Sequence, residues 1–294
     1  MVDAVVPRRR RAWRITVAGV VRVAVIAVTV ILTIGPVAYA FLLSLRPLTQ
    51  VVQQPLALLP WQTTYQLDAF LLALRPTSSG GFGLGQFMMN SLVLAGSATA
   101  ATLAVSVLGA YAVARLKFPG RSAFGGVFLA TYVFPGIVLA VPLFVLFSTL
   151  GLRGHVVSLV VIYMAFTVPV AVYMLRNYFL SVPQSIEEAA MIDGCGRLGV
   201  IFRVVLPTTA PGIAATGLYV FMIAWNEFLF ALLFLVNSRH RWTVSLGLQQ
   251  LNDVGVPITV LIAGSLLVTL PVIGLFFGAQ KLLVAGMTSG AEKG

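Results

Sequence analysis

The chain has 294 residues, 59% of them hydrophobic and 9% charged, with a mean hydropathy of +1.00. A soluble surface carries about a quarter charged residues, so 19 basic and 8 acidic side chains exclude a soluble enzyme. One cysteine, Cys195, rules out an intramolecular disulfide, and with only His155 and His240, far apart in sequence, no metal site is expected.

A helix needs roughly 20 mostly apolar residues to cross a hydrocarbon layer about 30 Å thick. Six stretches meet that need: residues 23–45, 87–114, 124–150, 156–175, 213–235 and 257–279. They are continuously apolar, without the alternation of a barrel wall, so helices are expected. The first follows the basic run Arg8 to Arg11 but is longer than a signal-peptide core and lacks a small-x-small cleavage site, so it reads as an uncleaved anchor. The outer connection 46–86 holds Pro47, Pro55, Pro60 and Pro76 and a Ser-Ser-Gly-Gly run, which predicts irregular chain with one short helix near 64–74. Pro135, Pro142 and Pro169 fall inside spans and permit bends. In the loop 236–256, Asn252, Asp253 and Gly255 read as turn chemistry.

The net charge of +11 is concentrated beside the apolar segments rather than on an interleaved basic and aromatic surface, so it signals topology and not nucleic-acid binding. Lys and Arg near span ends stay in the cytoplasm. With both termini inside, 14 of the 19 basic residues are cytoplasmic, leaving Arg46, Arg75, Arg153, Arg239 and Arg241 outside.

The loop 176–211 is then cytoplasmic. Ser185, with Glu188 three residues on, predicts a capping box; Glu187 suits the positive end of a helix, and Gly194 can take the left-handed conformation that closes one. A second helical segment, 197–206, is expected to stop at Pro207. Small residues Ala189, Ala190 and Gly194 leave room for close approach, while Met191, Ile192, Ile201 and Phe202 offer an apolar side to a partner's groove. An interfacial helix lying on lipid headgroups is the other local reading.

Glu188-Ala-Ala, Asp193-Gly194 and, after nine intervening residues, Val204-x-Leu206-Pro207 resemble the EAA loop of permease subunits of binding-protein-dependent ABC importers. Asn90-Ser91, the run Ala110 to Leu116, Phe118-Pro-Gly, Ala224-Trp-Asn-Glu-Phe and the terminal Ser289-Gly-Ala-Glu-Lys-Gly are similar to the carbohydrate-uptake, maltose-type branch. Cys195 stands where alanine is usual, Val204 where isoleucine is common, and Glu227 where aspartate is frequent.

The resemblance implies an all-α integral membrane protein with six transmembrane helices and the type I ABC importer permease fold. It implies a basic N-terminal segment 1–22, a permease domain 23–279 and a cytoplasmic tail 280–294 in a bacterial or archaeal plasma (inner) membrane. The implied partners are a second, homologous permease, two ATPase subunits and an extracytoplasmic solute-binding protein, besides membrane lipid. This chain would bind no cofactor, ATP and Mg²⁺ belonging to the ATPase, and no Gly-x-x-x-x-Gly-Lys-Ser/Thr motif occurs in it. Glu187, Glu188, Ala189, Ala190, Asp193, Gly194, Leu206 and Pro207 would carry ATPase coupling, and in the tail Ser289, Gly290 and Lys293 would reach the ATPase.

Glu227 is the only acid within a span. A charge at mid-bilayer costs about 2.5 to 3.5 kcal/mol on insertion scales, so it must face protein or water. It either lines the solute path with Asn226 and Trp225, Phe134, Tyr163 and Tyr219 being further path candidates, or it is a paired or protonated acid that locks helices. An ion-coupled secondary carrier using Glu227 is the alternative function. The importer reading is a subunit that translocates a sugar, an oligosaccharide or a polyol phosphate and is not itself an enzyme.

Overall fold

A computed structural model describes residues 17–57, 63–121, 123 and 135–291. The chain divides into two compact units, residues 1–66 and 67–294.

In the first unit, α1 (Val17–Ser44) is apolar on every face, the pattern of a membrane span. A short α2 (Leu48–Gln53) follows. The loop beyond it is organised by one buried cation, Arg46, which is 1% exposed. Its Nε donates to Thr63 Oγ1 at 3.0 Å and its Nη1 to the Pro55 carbonyl at 3.2 Å. Its Nη2 donates to the carbonyls of Gln50 and Gln54 at 3.1 and 2.7 Å. A buried guanidinium is tolerated only when its donors are matched in this way.

The second unit is all helical among its described residues. The short helix expected near 64–74 is α3 (Asp68–Leu74). The second expected span is α4 (Leu84–Arg115). Of the third, α5 (Gly136–Thr149) is described, while its first half, Phe134 included, lies outside the described residues. The fourth is α6 (Val156–Ser181). After α7 (Gln184–Ile192) comes α8 (Arg197–Thr208), then α9 (Ala210–Asn226) and α10 (Leu229–Leu235), α11 (Val244–Leu251) and α12 (Ile258–Ala291). Four described helices are long and apolar enough to cross a membrane, five if the bent pair α8 and α9 counts as one.

Helices α4 and α6 run side by side in the same direction. The carbonyls of Phe179 and Val182, at the end of α6, are held by Arg115 at the end of α4. The buried apolar residues form two clusters along this pair. One includes Phe87, Leu94, Leu159, Tyr163, Trp225, Phe234 and Leu251; the other, toward α7, includes Val107, Tyr111, Leu175, Phe179, Val200 and Val205. Between them in sequence, Thr102 and Thr167 hydrogen-bond across the two helices at 3.0 Å while almost wholly buried. In a medium without water, such polar pairs fix one helix register against another.

Three local expectations change. The 213–235 span is broken at Glu227, whose extended backbone separates α9 from α10. The terminal helix runs past 279 to Ala291, carrying the backbone of Ser289 and Gly290 with it, while Lys293 lies outside the described residues. A helix unforeseen in the sequence, α11, precedes the Asn252–Gly255 turn; it buries Val244, Gly247 and Leu251, the one-face spacing of a helix.

Helix α9 starts against α6 at its narrowest point. A Cβ on Gly212 would stand 2.2 Å from Tyr178 Cγ, so no larger residue fits without moving the ring. Gly212→Val should lower the thermal unfolding midpoint of the purified protein, by the equivalent of about 1–3 kcal/mol. Gly274→Ala, at a position with nothing within 4 Å, should leave it unchanged or raise it.

Candidate functional site

The loop end of the second unit is built around α7. The helix starts at Gln184, with Pro183 rather than Ser185 at its N-cap, and the expected capping box does not form. Pro183 stands just before the first helical residue, its φ fixed by the ring, and Glu188 stays exposed instead of reaching back. The other end closes as expected. Gly194 sits at φ +89, the left-handed region that costs a residue with a Cβ about 1–2 kcal/mol. The N–H of Cys195 reaches back to the Ala190 carbonyl at 3.0 Å, and that of Gly194 to Met191 at 3.1 Å.

The two faces of α7 differ. Glu188, Ala189, Met191, Ile192, Asp193 and Gly194 are exposed, Ile192 by 87%. Ala190 packs inward on the cluster of Val200, Ile201 and Phe179. Of the four apolar residues expected on the contact face, Ile201 is therefore buried at 3%, while Met191, Ile192 and Phe202 stay outside.

Glu187 also turns inward, and it is 4% exposed. Its Oε1 accepts from Arg115 Nε at 2.7 Å and its Oε2 from the Tyr111 hydroxyl at 3.1 Å. The same guanidinium donates through Nη2 to the carbonyls of Phe179 and Val182 at 2.7 and 2.6 Å. One cation thus joins the ends of α4 and α6 to the first turn of α7. In a buried pair of this kind, loss of one partner strands the other charge, at about 3–5 kcal/mol. Sequence reasoning counted Arg115 only as a topology marker; its spacing four residues beyond Tyr111, on the same face of α4, was the available signal.

Beyond α7, the helix α8 does not stop at Pro207 but continues one residue further. A wide turn over Ile201–Val205 brings the Leu206 N–H to the Ile201 carbonyl five residues back. Two threonine hydroxyls bond back to carbonyls of the preceding turn: Thr208 Oγ1 to Val204 at 2.7 Å and Thr209 Oγ1 to Val205 at 2.6 Å, beside the Thr209 N–H on the same Val205 carbonyl at 3.0 Å. At Thr209 the chain turns by 83° into α9. This bend lies between Pro207 and Pro211, away from the prolines at 135, 142 and 169.

The break at Glu227 forms a second cluster of polar groups. Oε1 accepts the Phe230 N–H at 2.8 Å and Oε2 the Ala231 N–H at 3.1 Å, two of the donors that the start of α10 leaves open. Oε2 also accepts the Tyr163 hydroxyl at 2.7 Å. The carboxyl therefore ties α6 to the start of a half-helix whose dipole favours it. Tyr163 and Trp225 are core residues, 2% and 1% exposed, with Trp225 stacked on Phe221 at 5.5 Å. Asn226 is exposed, with Nδ2 on the Met222 carbonyl at 2.8 Å; Glu227 and Tyr219 are half-buried.

A bundle of apolar helices whose inward-turned charges are matched internally, with an exposed helix edge at one end, is the build of a membrane-embedded transport subunit. Residues 103–289 match the family described as binding-protein-dependent transport system inner membrane component, and the chain belongs to that family. It is 34% identical over 270 residues to an inner membrane ABC transporter permease protein of Escherichia coli, covering 92% of this chain and 94% of the relative. It is 39% identical to the sulfoquinovosyl glycerol transport system permease protein of Agrobacterium fabrum, covering 71% of this chain and 73% of the relative. With the trehalose/maltose transport system permease protein of Thermococcus litoralis it shares 37% identity, over 71% and 75%. The fold is that of a bacterial ABC transporter involved in the import of the polysaccharide alginate, with a TM-score of 0.74 and 22% identity, over 94% of this chain and 99% of the other. The chain is thus a multi-pass inner-membrane permease within an ABC importer that works with a binding protein and an ATPase.

Glu227→Ala should open two backbone donors and the Tyr163 hydroxyl together, at about 2–4 kcal/mol for hydrogen bonds to a carboxyl. A lower thermal midpoint of the purified protein, with Glu227→Gln intermediate because it keeps one acceptor oxygen, is the expected result.

Proposed function

We propose that this chain is one of two homologous permease subunits of an importer for a sugar, an oligosaccharide or a related polyol phosphate, with six spans and both termini cytoplasmic. An extracytoplasmic binding protein delivers the solute, and two ATPase subunits bind ATP and Mg²⁺. Relatives named for trehalose/maltose and for sulfoquinovosyl glycerol transport support a carbohydrate cargo. The excess of basic residues at the loop end and the N-terminus supports the orientation. The arrangement 1–22, 23–279 and 280–294 follows from it, with Ser289, Gly290 and Lys293 placed toward the ATPase.

The observation that carries the coupling role is the exposed edge of α7. Glu188, Ala189, Met191, Ile192, Asp193 and Gly194 present a low, partly apolar surface, which is the form of a helix that seats in a groove. Leu206 and Pro207, half-buried and exposed, lie one helix further on and lead to the 83° bend. Closure of the ATPase pair around ATP shifts this surface, and the bundle passes between two packings of similar free energy, each favoured by a ligand on one side. An ion-coupled carrier acting through Glu227 is less well supported, since that carboxyl is engaged by three hydrogen bonds and the relatives are ABC permeases.

Open space surrounds Gly194, so a side chain there meets the partner and not this chain. In the reconstituted importer, Gly194→Glu should leave the amount of permease in the membrane unchanged and cut binding-protein-stimulated ATP hydrolysis at least about tenfold, a loss of ~1.4 kcal/mol in activation free energy. Gly194→Asn, which tolerates the left-handed conformation, should retain most of it. Undiminished stimulation in Gly194→Glu removes the coupling role.

A further inference from the structure

We propose that Glu187 and Arg115 are positioning residues: their buried pair makes α7 a rigid extension of α4 and α6, so that a displacement of α7 moves both spans as one body. The proposal rests on the coupling reading and assigns Glu187 a different task from its neighbours in the loop.

The geometry separates Glu187 from any docking partner. Its side chain is 5% exposed and that of Arg115 7%, so a protein seated on the outer edge of α7 touches neither. Glu188, the next residue, is exposed on the other side. Within the unit the pair is the one ion pair between described residues, and it is placed where three helix ends meet. Glu187 supplies both carboxyl oxygens, one to Arg115 and one to Tyr111 on the preceding turn of α4. Arg115 holds the last turn of α6 through two carbonyls.

Without this pair, the link from α6 to α7 is only the short stretch around Val182 and Pro183, whose extended ψ values of 126° and 132° carry no helical continuity. The ring of Pro183 fixes its φ, which leaves the ψ angles of this stretch to set the angle between the two helices. The guanidinium resists pivoting, since its donors lie in a fixed fork, with Nε on the Glu187 carboxyl and Nη2 on the two α6 carbonyls. The apolar contact of Ala190 with the Val200 and Phe179 cluster adds surface but, being non-directional, sets no angle.

The test measures the angle directly and needs no solute. In the full importer complex, with Cys195→Ser to remove the native thiol, spin labels are placed at Ser185→Cys on α7 and Leu108→Cys on α4, both exposed. The label-to-label distance is recorded with no nucleotide and with Mg-ATP plus vanadate. A single narrow distance, the same in both states, is expected with Glu187 and Arg115 in place. Glu187→Gln should broaden it and let it shift with nucleotide by up to about one helical turn, ~5 Å. Glu187→Asp, which keeps the charge, should restore most of the narrow peak.

The amount of ATPase that co-purifies should stay within twofold of the unaltered complex in Glu187→Gln. If the distance between α7 and α4 changes with nucleotide when both residues are intact, or stays narrow in Glu187→Gln, the latch is wrong. If Glu187→Gln loses the ATPase more than tenfold, Glu187 is a contact and not a positioning residue. The intact-complex measurement decides the matter even where a variant fails to fold. Failure of the coupling reading shows separately, as full stimulation of ATP hydrolysis in Gly194→Glu.

Discussion

The helix ends and breaks of this chain follow from one constraint: a charged group inside an apolar bundle must find its partner within the protein, because no water is there to supply one. The consequence is most direct at Glu227. The helix from residue 213 breaks, which exposes the N–H groups at the start of α10, and the carboxyl next to the break takes up two of them and the Tyr163 hydroxyl as well. An acid that would be costly in an unbroken span and a half-helix with open donors satisfy each other, and neither is stable alone.

The same constraint governs the buried charges of each unit. Arg46 in the first unit has four protein acceptors and is 1% exposed. Arg115 and Glu187 in the second unit satisfy each other and the last carbonyls of α6. Thr208 and Thr209 bond their hydroxyls back to the carbonyls of Val204 and Val205 at the start of the bend. Each site is stiff because its hydrogen bonds are directional, and each stands at a junction between helices. The apolar clusters between them resist separation but leave the angles free, so rigidity is concentrated where the chain changes direction. In the second unit the joint of Arg115 and Glu187 lies at the loop end, beside the exposed edge of α7.

How much of this was legible in the sequence depends on the range of the interaction. The spans could be read because burial in lipid needs only a local run of apolar residues, and Gly194 because one residue type favours a left-handed closure. The expected capping box at Ser185 failed for a non-local reason. Glu188 stays exposed and Glu187 is drawn to Arg115, 72 residues earlier, while Pro183 takes the N-cap. Ile201 went to the core instead of the contact edge because the turn of α8 that carries it packs into the cluster of Tyr111, Phe179 and Val200, a matter of angle and not of composition.

By itself the sequence determined the class of molecule: its helices, the loop that carries the exposed edge, and the family, since these rest on composition, periodicity and a spacing of residues along the chain. Only the tertiary structure decided which of two adjacent glutamates faces inward, where the span opens around Glu227 and where the chain bends by 83°. Those outcomes depend on which helix ends meet in space. A single acid or proline looks the same in sequence whether its partner lies next to it or across the bundle, and the energy of a buried polar group is set by that partner.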